Sequence, residues 1–303
     1  MAPASVPERE ARRPLYLFAV VVVFAVLALI KVGAMVTSTN SGLAYLTWPL
    51  ADGEVWPADI NSQGKWEMGH RYFGALIGLL SVALAVMLWL KESRTWLRWL
   101  GVAVVAVVTV QGAIGALGVF QNLPVWNSST HGVLAQVILC AVTTFAFSLS
   151  PSWQVRFAVP AGVAATSRKM TTLALVLVFV QVVVGAVVRH GNSQGLLWTH
   201  VLMALVVALA IVIAAAHAAG KFESDAGFQR LLKAVLLLIF VQICLGFATL
   251  AVRGEGKWSA TPAQIGRALT ISGHVVCGAL TMLAATLLCA KSWRNLVPSP
   301  TAS

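Results

Sequence analysis

Charged residues are scarce in this 303-residue chain. They make up 10% of it, whereas 59% of the residues are apolar and the mean hydropathy is +0.85. An ordinary soluble domain is about a quarter charged, so this composition excludes one. Acidic residues are scarcer than basic ones, with 10 Asp and Glu against 21 Lys and Arg. The chain is therefore predicted to be an integral membrane protein.

Cysteine is also rare, and its placement excludes a disulfide in a connecting loop. All four cysteines lie inside apolar segments, and none belongs to a CxxC pair. Zinc sites and redox dithiols use such close spacing, so these residues are interpreted as small buried apolar side chains. They are Cys140, Cys244, Cys277 and Cys289.

Eight apolar segments are long enough to cross a hydrocarbon core, which takes about 20 residues. The predicted fold is an all-α integral membrane protein with eight transmembrane helices as two pseudo-symmetric four-helix bundles. The first segment is longer than the core of a signal peptide and lacks a cleavage site, so it is expected to be retained. The segments are Leu15 to Val36, Met68 to Leu90, Leu97 to Phe120, Ser129 to Leu149, Met170 to Val188, Leu196 to Ala219, Leu231 to Val252 and Ala268 to Ala290.

The placement of basic residues predicts the orientation. Fourteen of the 21 Lys and Arg residues lie in the termini and in the connections from even to odd segments. Because such residues stay in the cytoplasm, both termini are predicted to be cytoplasmic, with the protein in the cell (plasma) membrane. Topology and anionic lipid explain the net charge of +11, so no nucleic-acid partner is expected. The opposite connections carry Asp52, Glu54, Asp59 and Glu255.

A histidine recurs near the start of every second segment. His70, His131, His200 and His274 occupy the second, fourth, sixth and eighth segments. Because successive membrane helices alternate in direction, the four imidazoles are predicted to lie at similar depth near the outer face. Imidazole is the commonest metal ligand and is costly to place in lipid without a partner. The joint pattern therefore predicts a set of metal ligands.

A glutamine and a glycine recur four residues apart in the odd segments that precede these histidines. The first segment keeps only the glycine, Gly33. Small residues allow helices to pack closely, and they also leave room for a flat cofactor. The recurrence predicts a parallel internal repeat about an axis along the membrane normal, in which His70 matches His200 and His131 matches His274. The pairs are Gln111 with Gly115, Gln181 with Gly185 and Gln242 with Gly246.

The repeat predicts two halves joined by a linker. The first outer loop, Thr37 to Trp66, is long, so the first half is expected to have elaborated a lid or entrance. The corresponding loop of the second half is short, and the last outer loop, Arg253 to Gly266, is longer again. The predicted divisions are a cytoplasmic tail (1–14), a first half (15–150), a cytoplasmic linker (151–169), a second half (170–291) and a second cytoplasmic tail (292–303).

Two metals compete for the histidines. Zinc binds imidazole, but it gathers several ligands around one ion. Two separate histidine pairs suit heme better, because histidine is its usual axial ligand and helix bundles hold cofactors between facing helices. The pattern therefore favours two bis-histidine heme sites.

Several other polar residues are candidates for a structural or a functional role. Glu67 shares a helical face with His70 and either favours the helix dipole or moves protons in a reaction. Lys31 either snorkels outward or lines a cavity. His190 is predicted to lie in a loop, and His217 to lie at the cytoplasmic interface. Candidates to pair with heme propionates, or to anchor the protein at the interface, are Arg71, Arg189, Arg253 and Arg267.

These motifs resemble those of the heme A synthase family, from about Leu15 to Ala290. The resemblance is carried in the first half by VTSTNSGLA at 36–44, TWPL at 47–50, EMGHR at 67–71, and THGVLAQ at 130–136 after Gln111 to Gly115. The second half agrees through Gln181 to Gly185, VRH at 188–190, His200, Gln242 to Gly246, and His274.

The resemblance implies an enzyme that oxidises the C8 methyl group of heme O to a formyl group, giving heme A for cytochrome oxidase. It implies that His200 and His274 bind a heme b cofactor. Heme O would lie between His70 and His131, with Arg71 in its site and Glu67 as the catalytic carboxylate. Implied partners are heme O, heme O synthase (a farnesyltransferase), an outside electron donor, membrane lipid and a second copy of the chain.

The chain departs from the family pattern at two points. It has no cysteine pair in an outer loop, and Tyr45-Leu46-Thr47 precedes Trp48 where an aspartate is usual. Mechanisms that need a disulfide or that aspartate therefore do not carry over. The alternative function is a bis-histidine di-heme electron-transfer protein, a cytochrome b-like quinol oxidoreductase that would use both pairs equally. A transporter would need charged or broken helices near the midplane, and only Lys31 approaches that.

Overall fold

A computed structural model describes residues 6–219, 226–253 and 261–299 of the chain. Within these ranges, eight helices are long and apolar enough to cross a membrane. This confirms the predicted all-α fold and makes the chain a multi-pass membrane protein. The helices are α1 (Val6–Ser38), α2 (Ser62–Lys91), α3 (Thr95–Phe120), α4 (Val125–Leu149), α5 (Ala161–His190), α6 (Gln194–Ala219), α7 (Ala226–Ala251) and α8 (Pro262–Asn295).

Several helices continue beyond the apolar segments that predicted them. Hydropathy marks the stretch that fits the hydrocarbon core, whereas backbone hydrogen bonding continues into the polar ends. Side-chain caps set two of the starts. Asn61 accepts a 2.8 Å hydrogen bond from the N–H of Gly64 before α2, and Thr261 caps α8 ahead of Pro262.

Neighbouring helices in the chain are also neighbours in space. Each of α1 to α4 contacts the next and α1 contacts α4; helices α5 to α8 contact one another in the same cyclic order. The two sets meet where α1 and α4 contact α8 and where α4 contacts α5. The division into two pseudo-symmetric bundles stays a prediction.

The outward faces of the helices carry large apolar side chains. Leu79 is 71% exposed, Leu90 74% and Phe24 67%. Exposed apolar surface on this scale is unfavourable in water, and lipid tails would cover it. The buried apolar residues lie between the helices, for example Leu84, Leu139 and Phe145.

The predicted linker is largely ordered. It contains a 3-10 helix (Pro151–Gln154) and a strand, β1 (Phe157–Pro160), before α5 begins. Strand β1 pairs in parallel with β2 (Leu296–Ser299), which follows α8. The linker and the end of the chain thus pack together, at the end of the bundle opposite to the four histidines.

The predicted loop position of His190 is wrong. Helix α5 continues through His190 and ends at Gly191, whose N–H donates to the carbonyl group of Val187. A cationic side chain is favourable in the last turn of a helix, which suits Arg189 to this position. Most of the predicted last outer loop, including Glu255, lies outside the described residues.

Candidate functional site: two histidine pairs

The four predicted histidines come together as two pairs. The ring centroids of His70 and His131 are 6.2 Å apart, and those of His200 and His274 are 6.3 Å apart. A first-row metal lies about 2 Å from an imidazole nitrogen, and that nitrogen lies about 1 Å from its ring centroid. Two imidazoles on opposite sides of one metal therefore have centroids roughly 6 Å apart. Both pairs have the spacing of two axial ligands.

Each imidazole lies against the recurring glycine of the preceding helix. A methyl group built on any of these glycines would meet Cε1 of the ring at or inside van der Waals distance, so a larger residue would displace the histidine. The close contact gives the recurring glycines a specific role besides helix packing. The Cβ to Cε1 distances are 2.9 Å for Gly33 and His70, 3.2 Å for Gly115 and His131, 2.8 Å for Gly185 and His200, and 3.3 Å for Gly246 and His274.

The recurring glutamines contact the same histidines. Nε2 of Gln111 donates a 2.9 Å hydrogen bond to the backbone carbonyl group of His131, and Gln181 makes the same 2.9 Å bond to His200. Gln242 differs, since its Nε2 lies 3.5 Å from Nε2 of His274. The first helix has Leu29 at the equivalent position. His70 is therefore the one histidine of the four without a glutamine beside it.

The Nδ1 atoms of the four histidines are buried and have no hydrogen-bond partner within the described part of the chain. A buried polar atom without a partner is costly. The rings are therefore suited to serve as metal ligands.

The two pairs are two-ligand sites. Among the described residues, no three side chains of His, Cys, Asp or Glu gather where they could hold one ion. Zinc sites take three or four protein ligands, so the pairs do not fit zinc. They fit a planar cofactor that supplies its own equatorial ligands and takes imidazole on both faces, as heme does.

Glu67 and Arg71 lie in the same region of α2 and hold the first outer loop. Glu67 is only 4% exposed and forms an ion pair with Arg71. Its other carboxylate oxygen accepts a 3.0 Å hydrogen bond from the N–H of Tyr45. Arg71 donates to the carbonyl groups of Tyr45 (3.2 Å) and Thr47 (2.7 Å), and to two more in the loop. The sequence predicted that Glu67 lies near His70, but it did not predict that Glu67 and Arg71 bind the first outer loop.

Further contacts fix the same loop to the start of α2. The Tyr45 ring lies against Gly64, where an added methyl group would be 2.9 Å from Cε2. Gln63 donates to the carbonyl group of Asn40 (3.0 Å), and Trp56 stacks on Tyr72 at 6.4 Å. The long loop is thus ordered and packed against the helix that carries His70. Its role as a lid or entrance stays a prediction.

Arg189 makes contacts between helices that the sequence did not predict. One of its guanidinium nitrogens donates 2.9 Å bonds to the carbonyl group of Ala34 and to Oγ of Ser38, both in α1. Ser38 Oγ is in turn 3.1 Å from Ser272 Oγ in α8. Ser38 lies in the VTSTNSGLA motif, but no spacing in the sequence predicted its contact with Ser272.

The remaining predicted polar residues lie away from the pairs or on the surface. His217 contacts Ser167 Oγ at 3.2 Å at the opposite end of the bundle. Lys31 and Arg253 are exposed, which favours snorkelling for Lys31 over a cavity. Arg267 is partly buried.

The fold and the site define a class: a multi-pass membrane protein with two facing imidazole pairs. A family model described as cytochrome oxidase assembly protein (COX15-CtaA) matches residues 16–196, more than half of the chain. The chain belongs to this family, which confirms the family resemblance seen in its motifs.

Individual relatives match over a shorter region. Over an alignment of 99 positions, the chain is 36% identical to the heme A synthases of Brucella ovis and Brucella abortus, and 35% identical to that of Brucella anthropi. The match covers 29% of this chain and 28% of each relative. The chain thus matches little more than a quarter of the length of these relatives.

Proposed function

We propose that this protein is a heme A synthase, which oxidises the C8 methyl group of heme O to a formyl group and supplies heme A for cytochrome oxidase. The observation that carries the proposal is an asymmetry between two otherwise equal histidine pairs. Beside His70 stand Glu67 and Arg71, whereas the matching positions beside His200 are Leu197 and Val201. A buried carboxylate at only one pair suits chemistry at that pair and cofactor binding at the other.

The two pairs would have different occupants. His200 and His274 would hold heme b, and His70 and His131 would hold heme O. Heme supplies the electron-transfer and oxygen chemistry when bound. The glycine beside each ring would set the position of that ring, and the amides of Gln111 and Gln181 would fix two of the helix segments that carry the ligands.

Glu67 and Arg71 would have linked roles in the first site. The Arg71 guanidinium and the Tyr45 N–H both donate to the Glu67 carboxylate and fix its position on the helix that carries His70. From that position Glu67 would accept a proton, or would stabilise positive charge that develops on the substrate methyl group as it is hydroxylated. The ordered loop would limit the access of water to this site. Arg71 would also contact heme O in the proposed site.

Location and partners follow from the same proposal. The histidine end would face outward and the termini would lie in the cytoplasm of the plasma membrane, as the basic residues predict. The halves would be residues 15–150 and 170–291, related as a parallel repeat. An outside electron donor, heme O synthase and a second copy of the chain are the proposed partners.

A di-heme electron-transfer protein is the second candidate. It is favoured by the nearly equal centroid spacings, 6.2 Å and 6.3 Å. Such a protein would bind two resident hemes and would leave heme O unchanged.

The test is chromatography of pigments extracted from a host that makes heme O, with and without this protein. Heme A is expected to form with the wild-type chain, and with the control variant Asp59→Ala in the exposed loop. Glu67→Ala is expected to retain bound heme b and to form no heme A. Heme O that stays unchanged beside a heme-loaded wild-type protein would overturn the proposal and favour the second candidate.

A further inference from the structure

Arg189 connects three helices at the junction of the two histidine pairs. Its side chain extends from α5 to α1, where it binds the carbonyl group of Ala34 and the hydroxyl group of Ser38 at 2.9 Å each. Ser38 contacts Ser272 of α8 at 3.1 Å. Both α1 and α8 carry parts of the site: α1 provides the glycine beside His70, and α8 provides His274.

The contacts place Arg189 beside both pairs. Ala34 follows Gly33 directly, and Gly33 lies against the His70 ring. On the other side, Arg189 lies one helical turn after Gly185, which lies against the His200 ring, and Ser38 contacts Ser272, two residues before His274. Arg189 therefore lies between the first pair, which it reaches through the α1 backbone, and the second pair, which is one turn away along α5.

The Arg189 charge has no carboxylate beside it. In the described ranges the ion pairs are those of Glu67 with Arg71 and of Glu92 with Arg94. A guanidinium ion inside a membrane protein is unfavourable without an anionic partner. A carboxylate that arrives with a bound ligand would supply that partner, and porphyrin side chains carry such carboxylates.

We propose that Arg189 is a positioning residue shared by the two histidine pairs, which pairs with a porphyrin carboxylate and whose positive charge favours the reduced state of the heme at His200 and His274. This inference rests on the proposed heme binding. Reduction of a ferric heme adds one electron and lowers the charge at the iron by one. A fixed positive charge nearby stabilises that product and raises the midpoint potential.

The test is a spectroscopic redox titration of purified, heme-loaded protein with dithionite as the reductant. Arg189→Gln is expected to keep the spectrum of a bis-histidine heme and to lower the ferrous-to-ferric ratio at a given potential roughly tenfold, a shift of about 59 mV for one electron. Arg189→Lys keeps the charge and should shift the midpoint less. Arg230→Gln removes an exposed arginine at the opposite end of the bundle and should leave it unchanged.

A second variant leaves Arg189 in place. Ser38→Asp sets a carboxylate beside the guanidinium group and should lower the midpoint in the same direction, whereas Ser38→Asn should not. If Arg189→Gln fails to accumulate, the midpoint potentials of Ser38→Asp and Ser38→Asn test the role of the Arg189 charge instead. A heme-loaded Arg189→Gln or Ser38→Asp protein with the wild-type midpoint would overturn the role of Arg189. A colourless wild-type protein would instead overturn the proposed function.

Discussion

Each histidine of the two pairs depends on one small residue across the helix interface. The glycines leave the space that the imidazole rings occupy, with distances from an added methyl group down to 2.8 Å. A side chain at these positions would force the ring or the helix to move, because interiors of this kind are closely packed. Ligand position is therefore determined by the odd-numbered helices as much as by the even-numbered helices that carry the histidines.

Gly185→Ala is expected to weaken heme binding at the second pair. The added methyl group overlaps the His200 ring, and overpacking of this kind costs about 1–3 kcal/mol. Heme content per chain, measured by pyridine hemochrome, should fall in the variant. Gly78→Ala is the matched control, since an added methyl group there meets no atom within 4 Å. Full heme content in Gly185→Ala would mean that the ring position is not set by this contact.

Arg71→Lys is expected to reduce heme A formation while leaving heme b bound. The planar guanidinium fork of Arg71 reaches Glu67 and four loop carbonyl groups at once. A lysine ammonium group has no such fork and cannot make all of these contacts. Loss of this geometry should lower the rate of heme A formation roughly tenfold or more, the equivalent of about 1.4 kcal/mol in the barrier. The exposed control Arg230→Lys should retain the wild-type rate. An unchanged rate in Arg71→Lys would show that this fork is dispensable.

At the scale of elements, the first outer loop and α2 act as one unit. The ion pair of Glu67 and Arg71 lies at their interface, and Tyr45 and Trp56 pack on the same helix. Exposed apolar side chains remain on the loop, with Leu46 64% and Trp48 43% exposed. The loop therefore has one side fixed by polar contacts and another suited to lipid or to a hydrophobic ligand.

Glu67→Ala is expected to speed hydrogen exchange of the Tyr45 amide, because the carboxylate that accepts its hydrogen bond is removed. Glu67→Gln keeps an acceptor oxygen and should protect this amide better. Exchange followed by mass spectrometry separates these variants, with Asp59→Ala as the control. Equal exchange in Glu67→Ala and wild type would show that the loop is held by its other contacts.

The sequence predicted those features that recur along the chain or that have a characteristic length. The eight apolar segments and the four histidines were visible because each repeats. Strands β1 and β2 were not predicted, since each has four residues and they pair only because distant parts of the chain meet. The contact of Arg189 with Ser38 was equally hidden, because a contact between α5 and α1 leaves no spacing pattern in the chain.

At the scale of the whole molecule, polar chemistry is divided between the two ends of the bundle. The histidine pairs, Glu67 and Arg189 occupy one end. At the other end the linker and the chain end pack together through β1 and β2, with Arg294 4.2 Å from the Trp153 ring centroid. Such a basic and aromatic end suits the cytoplasmic interface.

The orientation is expected to show in the labelling of single added cysteines. Asn192→Cys, at an exposed position in the short connection after α5, should react with a membrane-impermeant maleimide added outside intact cells. Val155→Cys, an exposed residue of the linker, should react only after the membrane is opened. The unsubstituted chain measures any background from its four native cysteines. The reverse pattern would place the histidine pairs on the cytoplasmic side.

One histidine pair is proposed to hold a resident cofactor and the other to receive a substrate. The two roles are separated by the heme content per chain of protein purified from a host that makes heme b but no heme O. One heme b per chain is expected, kept in His70→Ala and lost in His200→Ala. Two resident hemes per chain, or loss of heme b in His70→Ala, would contradict this division of roles.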